Sequence, residues 1–145
     1  MRVRIEEIGQ NQEEELVLRC HQPSDGLLER LRRFQREALE LTGVRDKEIH
    51  RLRLDEVYYF EVVEGRAFLY SRDQVYESAL KLYEFEEASG GTRFFRASKS
   101  MVVNADKIDF ITPSLSGRFV ATLLNGEKVV VSRQYVAVLK KKMGL

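Results

Sequence analysis

The chain has 145 residues, of which 43% are hydrophobic and 32% charged, and its formal net charge is +1. This length and composition favour one globular protein with an ordinary core, and no apolar run is long enough to cross a bilayer. The single cysteine excludes an internal disulfide framework, and the N-terminus lacks the apolar core of a signal peptide, so a cytoplasmic protein is expected.

The charges are unevenly distributed along the chain. Residues 93–145 carry 10 Lys and Arg against 3 Asp and Glu, a net charge of +7, whereas residues 1–43 and 44–92 have net charges of −2 and −4. A phosphate-binding face produces this kind of asymmetry, because neutralising phosphates releases counterions and drives association. A chance excess of cations on a solvated face gives the same count, so charge alone leaves both interpretations open.

The first 43 residues predict a strand–helix segment. VRIEEI (3–8) and EELVLRC (14–20) have the composition of two short strands joined by a polar turn. A helix is predicted over residues 25–41, with Ser24 as its N-cap and Gly43 as its C-terminal stop. Spacings of 4, 3, 4 and 3 place five apolar residues on one stripe of this helix: Leu27, Leu31, Phe34, Ala38 and Leu41. We predict that residues 1–43 form an appendage for homodimerisation or partner docking; the alternative, that they only cover one face of the body, stays open.

Residues 44–145 predict a second domain built mainly from strands. VYYFEVV (57–63) is almost continuously apolar, as in a strand buried on both faces, and LKLYEFEEASGG (80–91) predicts a short helix. Alternating strands around Asn125 and Gly126 predict a hairpin, and a last helix is expected from about Arg133 to Met143, capped by Ser132. The predicted fold class is therefore α+β, mainly β, with short helices and a C-terminal helix.

The sequence carries little that indicates catalysis. It contains no P-loop, no nucleophile elbow, no HExxH and no Gly-rich dinucleotide-binding turn, so neither an enzyme nor a cofactor or metal site is expected. The basic third is more informative, because its cations flank predicted turns or strand ends, from which side chains can enter a DNA groove. These cations are Arg96, Lys99, Lys107, Arg118 and Arg133.

FFRASKSMVVNADKI (94–108), followed by a strand pair and LLNGEKVVVSRQYVAVLKKKMG (123–144), resembles the LytTR-type DNA-binding domain of bacterial transcriptional regulators. The upstream strands and helix fit the same domain, so the resemblance covers about residues 44–144. It implies a β body that binds double-stranded DNA by inserting loops into successive major grooves. The DNA contacts that it implies are Arg66, Ser98, Lys99, Ser100 and Arg133. Many relatives have histidine where this chain has Ser98, which leaves the contribution of that position open.

Many members of this family carry a receiver domain ahead of the DNA-binding part, where this chain has only 43 residues. The chain therefore resembles the stand-alone members, in which a regulatory membrane protein can be the partner. The leading hypothesis is a sequence-specific DNA-binding transcriptional regulator. The alternative is a protein-interaction module whose basic C-terminal face binds an acidic partner. A preference for one duplex over bulk DNA, combined with a steep salt dependence, separates the two.

Overall fold

The computed structural model describes residues 2–37 and 40–145. These residues form ten strands in two sheets and three α-helices, with short 3-10 turns between them, which confirms the predicted α+β, mainly β class. The helices are α1 (Asp25–Glu37), α2 (Leu82–Ala88) and α3 (Val136–Lys142). The strands are β1 (Glu40–Arg45), β2 (Glu48–Arg53), β3 (Tyr59–Val63), β4 (Arg66–Tyr70), β5 (Val75–Ser78), β6 (Phe94–Ser98), β7 (Met101–Asn104), β8 (Ile108–Pro113), β9 (Phe119–Leu123) and β10 (Lys128–Val131).

The larger sheet has seven antiparallel strands in the order β2-β1-β5-β4-β3-β7-β6, and the smaller has three in the order β10-β9-β8. Side chains alternate across the larger sheet, so it has a core on each face. On one face Phe60 stacks on Phe85 of α2 at 4.5 Å, with both rings fully buried. On the other face Tyr59 packs with the smaller sheet and with Leu139 of α3. A strand with a core on both sides explains the nearly continuous apolar run around β3.

Buried polar contacts hold the turns between these layers. Asn104 is only 3% exposed; its Nδ2 donates to the Val57 carbonyl at 3.0 Å and its Oδ1 accepts from the Asp106 N–H at 3.0 Å. The second bond gives Asn104 a local role in a turn, and the first ties that turn to the start of β3. On the opposite face, burial and a hydrogen bond to Glu127 raise the pKa of Tyr59.

The two strands predicted within residues 3–8 and 14–20 are wrong. Within residues 2–20, the structure has only a turn, in which the Gln12 N–H donates to the Gly9 carbonyl at 3.0 Å, and otherwise irregular chain. Val3 and Ile5 are 88% and 89% exposed. Alternating apolar residues form a strand only against a neighbouring strand, and the described residues provide none here.

The predicted helix over residues 25–41 is right at its start and wrong at its end. Ser24 Oγ accepts from the Leu27 N–H at 3.2 Å, which confirms the N-cap. The helix is described to Glu37, and Ala38, one residue of the predicted stripe, lies outside the described residues. Leu41 lies in β1, not in the helix.

Gly43 also belongs to β1 and is not the predicted helix stop. It pairs with His50 of β2, and a Cβ at position 43 would lie 2.5 Å from Tyr76 Cβ, so the glycine permits a close approach to Tyr76 of β5. The sheet therefore begins at Glu40, four residues before the predicted domain boundary at residue 44.

The hairpin around Asn125 and Gly126 is confirmed as the β9–β10 connection, with Gly126 at φ +89°. The last predicted helix starts instead with the 3-10 turn Arg133–Tyr135 and becomes α-helical at Val136. The Ser132 side chain accepts no capping bond, so the predicted cap is wrong; its backbone carbonyl accepts from the Tyr135 N–H at 2.9 Å. None of the helices in the described residues has the length and apolar character that a membrane crossing needs.

Candidate nucleic-acid interface

One end of the larger sheet, which we call the Lys99 end, carries four chain segments close together. They are the β3–β4 turn (64–65), the β6–β7 turn (99–100), the β8–β9 turn (114–118) and the 3-10 turn Arg133–Tyr135. The Val62 N–H donates to the Ser100 carbonyl at 2.9 Å, which joins the first two segments. The Ser132 N–H donates to the Ala97 carbonyl at 2.8 Å, which brings the last segment beside β6. All five residues predicted to contact DNA therefore lie at the Lys99 end.

Arg66 is the first residue of β4 and follows two residues with positive φ, Glu64 at +49° and Gly65 at +76°. Its Nε donates to Glu77 Oε1 at 3.1 Å and its Nη2 donates to Oε2 at 2.8 Å. These hydrogen bonds lower the pKa of the Glu77 carboxyl, and the Arg66 Cζ lies 5.4 Å from the centre of the Phe68 ring. No local pattern indicates this carboxylate partner, since Glu77 is eleven residues away.

Lys99 lies in a turn that Arg96 organises from within. Arg96 Nε donates to the Ser98 carbonyl, Nη2 donates to the Lys99 carbonyl at 2.7 Å, and Nη1 lies 3.3 Å from a carboxylate oxygen of Glu86 in α2. The Lys99 side chain is exposed, whereas the Arg96 guanidinium donates to the backbone of the turn. The sequence analysis counted Arg96 among the cations that can enter a groove and missed this role. The only signal is the position of Arg96 between two buried residues of the same strand, Phe95 and Ala97.

The two serines of this turn are also tied to it. A β-bulge shifts the register between Arg96 and Ser98, so that Ser98 pairs with Met101. Ser98 Oγ accepts from the Ser100 N–H at 3.2 Å, and the Ser100 carbonyl accepts from β3. The bulge and these hydrogen bonds hold the turn in a shape in which Lys99 is its exposed residue.

Arg133 lies across the β8–β9 turn. Gly117 has φ +74°, and a Cβ at that position would lie 2.9 Å from Arg133 Cδ, so the aliphatic part of Arg133 occupies the space that the glycine leaves. Arg118 follows in the same turn, and Arg118 and Arg133 are both exposed. A glycine followed sixteen residues later by an exposed arginine gives no sequence signal of this contact.

The opposite end of the sheet, which we call the Asn104 end, carries the β4–β5 turn (71–74), Asn104 with the 3-10 turn Ala105–Lys107, and the β9–β10 turn (124–127). Asn125 Nδ2 donates to the Arg72 carbonyl at 3.0 Å, and the Leu124 N–H donates to the Lys107 carbonyl at 2.8 Å. Lys107 Nζ lies 5.4 Å from the centre of the Tyr58 ring. Lys107, predicted together with Lys99 as a turn cation, is therefore at the other end.

The cationic side chains of the Lys99 end can donate hydrogen bonds to anions and to the edges of bases. Arg66, Lys81 and Lys99 line one open hollow beside the start of α2, and Arg118 and Arg133 lie on the side of the smaller sheet. Lysine ammonium and arginine guanidinium groups donate to phosphate oxygens and to the acceptors of guanine. These residues offer hydrogen-bond donors on turns rather than along a helix.

The chain is similar to several bacterial proteins. The sensory transduction protein LytT of Enterococcus faecalis is 31% identical over 109 residues, which are 75% of this chain and 44% of that protein. The transcriptional regulatory protein YpdB of Escherichia coli is 30% identical over 111 residues, 76% of this chain and 46% of that protein. The chain thus spans less than half the length of these two relatives. An uncharacterized HTH-type transcriptional regulator of Staphylococcus aureus is 30% identical over 105 residues, 72% of this chain and 71% of that protein.

A solved LytTr DNA-binding domain from Bacillus cereus has the same fold, with a TM-score of 0.68 at 24% identity. The similarity covers 73% of this chain and 97% of that domain. The model of the LytTr DNA-binding domain family matches residues 47–144, which confirms the resemblance found from FFRASKSMVVNADKI and the final hairpin and helix. Since that match covers more than half of the chain, the chain belongs to the LytTr DNA-binding domain family.

Proposed function

We propose that this protein is a sequence-specific DNA-binding transcriptional regulator that inserts the turns of its Lys99 end into the major groove. The observation that carries the proposal is the position of Arg66, Lys99 and Arg133, which three separate parts of the chain bring to one end of the sheet. Membership of a DNA-binding family and the names of the relatives, a sensory transduction protein and transcriptional regulators, support the same role.

The described contacts suggest a distinct task for each cation. Lys99 is a compact charge at the tip of a turn and suits a phosphate or a guanine acceptor. Arg66 and Arg133 carry planar forks that can donate two parallel hydrogen bonds to one base. Lys99 lies in the turn beside the hollow, whereas Arg133 lies on the side of the smaller sheet, so the two can reach different positions along a duplex. The Ser98 and Ser100 hydroxyls are close enough to the tip to add phosphate contacts.

Alanine substitution at the turn cations tests the proposal. The probe is a duplex recovered by selection from a random library with the full chain. Lys99→Ala and Arg133→Ala should each weaken binding to it by roughly 1–3 kcal/mol if they read bases. Lys141→Ala removes the same charge from an exposed position of α3 and should have little effect. Unchanged binding in both turn variants would contradict the site, and a chain that prefers no duplex would favour an acidic protein partner instead.

We also infer that α1 joins two copies of the chain. Leu27 and Leu31 are half-buried where α1 lies beside the 3-10 turn Leu54–Glu56, but Phe34 of the same stripe is 56% exposed. A second copy of α1 would cover this ring, and a dimer would present two Lys99 ends to one operator. Cytoplasmic location remains a prediction from the single cysteine, and a regulatory membrane-protein partner remains a prediction from the family resemblance.

The dimer is tested in the full chain with Phe34→Asp, which places a charge on an exposed site and leaves both cores intact. We expect sedimentation analysis to give the mass of two chains for the wild type and of one chain for the variant. Glu29→Gln changes an exposed polar residue of the same helix and should leave the mass unchanged. A single-chain mass for the wild type, or the same mass for wild type and Phe34→Asp, would contradict this role of α1.

A further inference from the structure

The ion pair between Arg66 and Glu77 leaves a defined set of donors unused. A guanidinium has five N–H donors, and the carboxylate takes one from Nε and one from Nη2. Within residues 2–37 and 40–145, nothing accepts from Nη1. The donors that remain belong to Nη1 and to the outer side of Nη2, and together they form the end-on fork of the guanidinium. That fork matches the O6 and N7 acceptors of guanine in the major groove.

The Arg66 guanidinium also contacts an aromatic ring of the same sheet face, that of Phe68. Phe68 is paired with Glu77 across β4 and β5, and Arg66 is two residues before Phe68, so all three side chains lie on the same face of the sheet. The Phe68 ring is 5.4 Å from Arg66 Cζ. Two carboxylate bonds and a ring contact restrict the rotamers of an otherwise flexible side chain, which lowers the ordering cost of a later contact.

We propose, on the basis of the function proposed above, that Glu77 is a positioning residue that directs Arg66 to read guanine and disfavours phosphate at that position. A phosphate that approaches Arg66 also approaches the Glu77 carboxylate, and two negative charges repel each other. Guanine is neutral, so its O6 and N7 can accept from the end-on fork without that repulsion. Glu77 thereby converts Arg66 from a general phosphate-binding cation into a source of sequence preference.

The experiment compares Glu77→Gln with Glu64→Gln in the full chain. Both remove one negative charge from the Lys99 end, but Glu64 lies in the β3–β4 turn and makes no ion pair with any described residue. Affinities are measured for the duplex selected with the wild type and for a random-sequence duplex of equal length, at one salt concentration. For Glu77→Gln, the ratio of the two affinities should fall by roughly 5- to 150-fold, the value of one bidentate base contact. Its affinity for the random duplex should hold or rise; a merely structural defect would lower both affinities.

Two further measurements keep the test independent of how well Glu77→Gln folds. Arg66→Lys keeps the charge and removes the fork, so it should lose the same preference while keeping its affinity for the random duplex. Replacing guanines of the selected duplex one at a time by 7-deazaguanine removes N7; the wild type should be sensitive at one guanine where both variants are not.

The outcomes separate this inference from the proposed function. Equal affinity ratios for Glu77→Gln and Glu64→Gln, or an unchanged ratio for Arg66→Lys, would overturn the role of Glu77 and leave DNA binding standing. A wild-type chain that selects no preferred duplex would overturn both proposals together.

Discussion

The two ends of the larger sheet use similar side chains for opposite purposes. At the Asn104 end, Arg93 Nε donates to Asp106 at 2.8 Å and its Nη2 donates to the Lys142 carbonyl at 2.7 Å. At the Lys99 end, the exposed cations lie on turns that the neighbouring strands hold in place. Basic residues of the C-terminal third are found at both ends, so their number does not locate a binding surface. At the Asn104 end the Arg93 donors are used within the chain, whereas Lys99, Arg118 and Arg133 at the Lys99 end make no side-chain hydrogen bond to a described residue.

The comparison predicts the largest loss of stability at the Asn104 end. Asn104→Ala leaves the buried Val57 carbonyl and the Asp106 N–H without their partner, and each loss costs about 1–3 kcal/mol. The free energy of unfolding should therefore fall by about 2–6 kcal/mol in chemical denaturation. Asn104→Asp keeps the acceptor for the Asp106 N–H, but its carboxylate faces the buried Val57 carbonyl, so we expect a loss of stability at least as large. If Asn104→Ala is as stable as the wild type, the hydrogen bonds of Asn104 do not stabilise the fold.

Arg96→Ala should weaken DNA binding although Arg96 is not expected to touch DNA. The substitution frees the Ser98 and Lys99 carbonyls, so the turn loses the support that presents Lys99. We expect a loss of affinity comparable to that of Lys99→Ala, about 1–3 kcal/mol, and little further loss in the double variant. Arg96→Lys should not restore binding, because an ammonium group cannot bridge the two carbonyls as the fork does. Additive losses in the double variant would show that Arg96 acts separately from the turn.

Glycine substitutions at the two ends should differ in what they disturb. Gly117→Ala and Gly126→Ala both place a Cβ on a residue with positive φ, which costs about 1–2 kcal/mol of stability in each case. The new Cβ at Gly117 meets Arg133, whereas a Cβ at Gly126 has no atom of the described residues within 4 Å. DNA affinity should therefore fall for Gly117→Ala only, as measured by titration of the selected duplex at equal folded protein. Equal affinities for the two variants would place Arg133 outside the interface.

The smallest effect concerns the titration of Glu77. Because Arg66 donates two hydrogen bonds to it, the pKa of the Glu77 carboxyl lies below its ordinary value of 4.5. The ion pair therefore stabilises the folded chain fully above pH 4.5, the ordinary pKa. This stabilisation is lost as the pH falls through the lowered pKa of Glu77. A carboxyl NMR titration should show the Glu77 pKa returning toward 4.5 in Arg66→Ala. The same titration curve in both proteins would mean that the two side chains do not interact in solution.

Local patterns predicted the elements that depend on neighbouring residues. The Ser24 cap, the α2 helix and the turn at Gly126 follow from side chains within a few positions, and all three are present. The strands predicted within residues 3–8 and 14–20 failed because pairing depends on a partner that the alternation does not specify. Gly43 failed for a related reason, since its contact with Tyr76 joins residues 33 positions apart.

The candidate site shows the same division. The family motif placed Arg66, Lys99 and Arg133, and the fold brings these residues to one end of the sheet. The partners that decide what each cation can do were not visible in the sequence. Glu77 engages Arg66 across β4 and β5, and Arg96 turns inward to the carbonyls of its own turn, as only the strand register and the bulge reveal.

The salt dependence of DNA binding tests the central claim most directly. Lys99→Ala combined with Arg133→Ala removes two charges from the Lys99 end, and Lys128→Ala combined with Lys141→Ala removes two exposed charges elsewhere. The slope of log affinity against log salt should become shallower by about 1.8 for the first double variant if both cations neutralise phosphates or lie among them. For the second double variant, the slope should equal that of the wild type. Equal changes of slope in both double variants, or an unchanged slope together with an unchanged affinity in the first, would contradict the assignment of DNA binding to the Lys99 end.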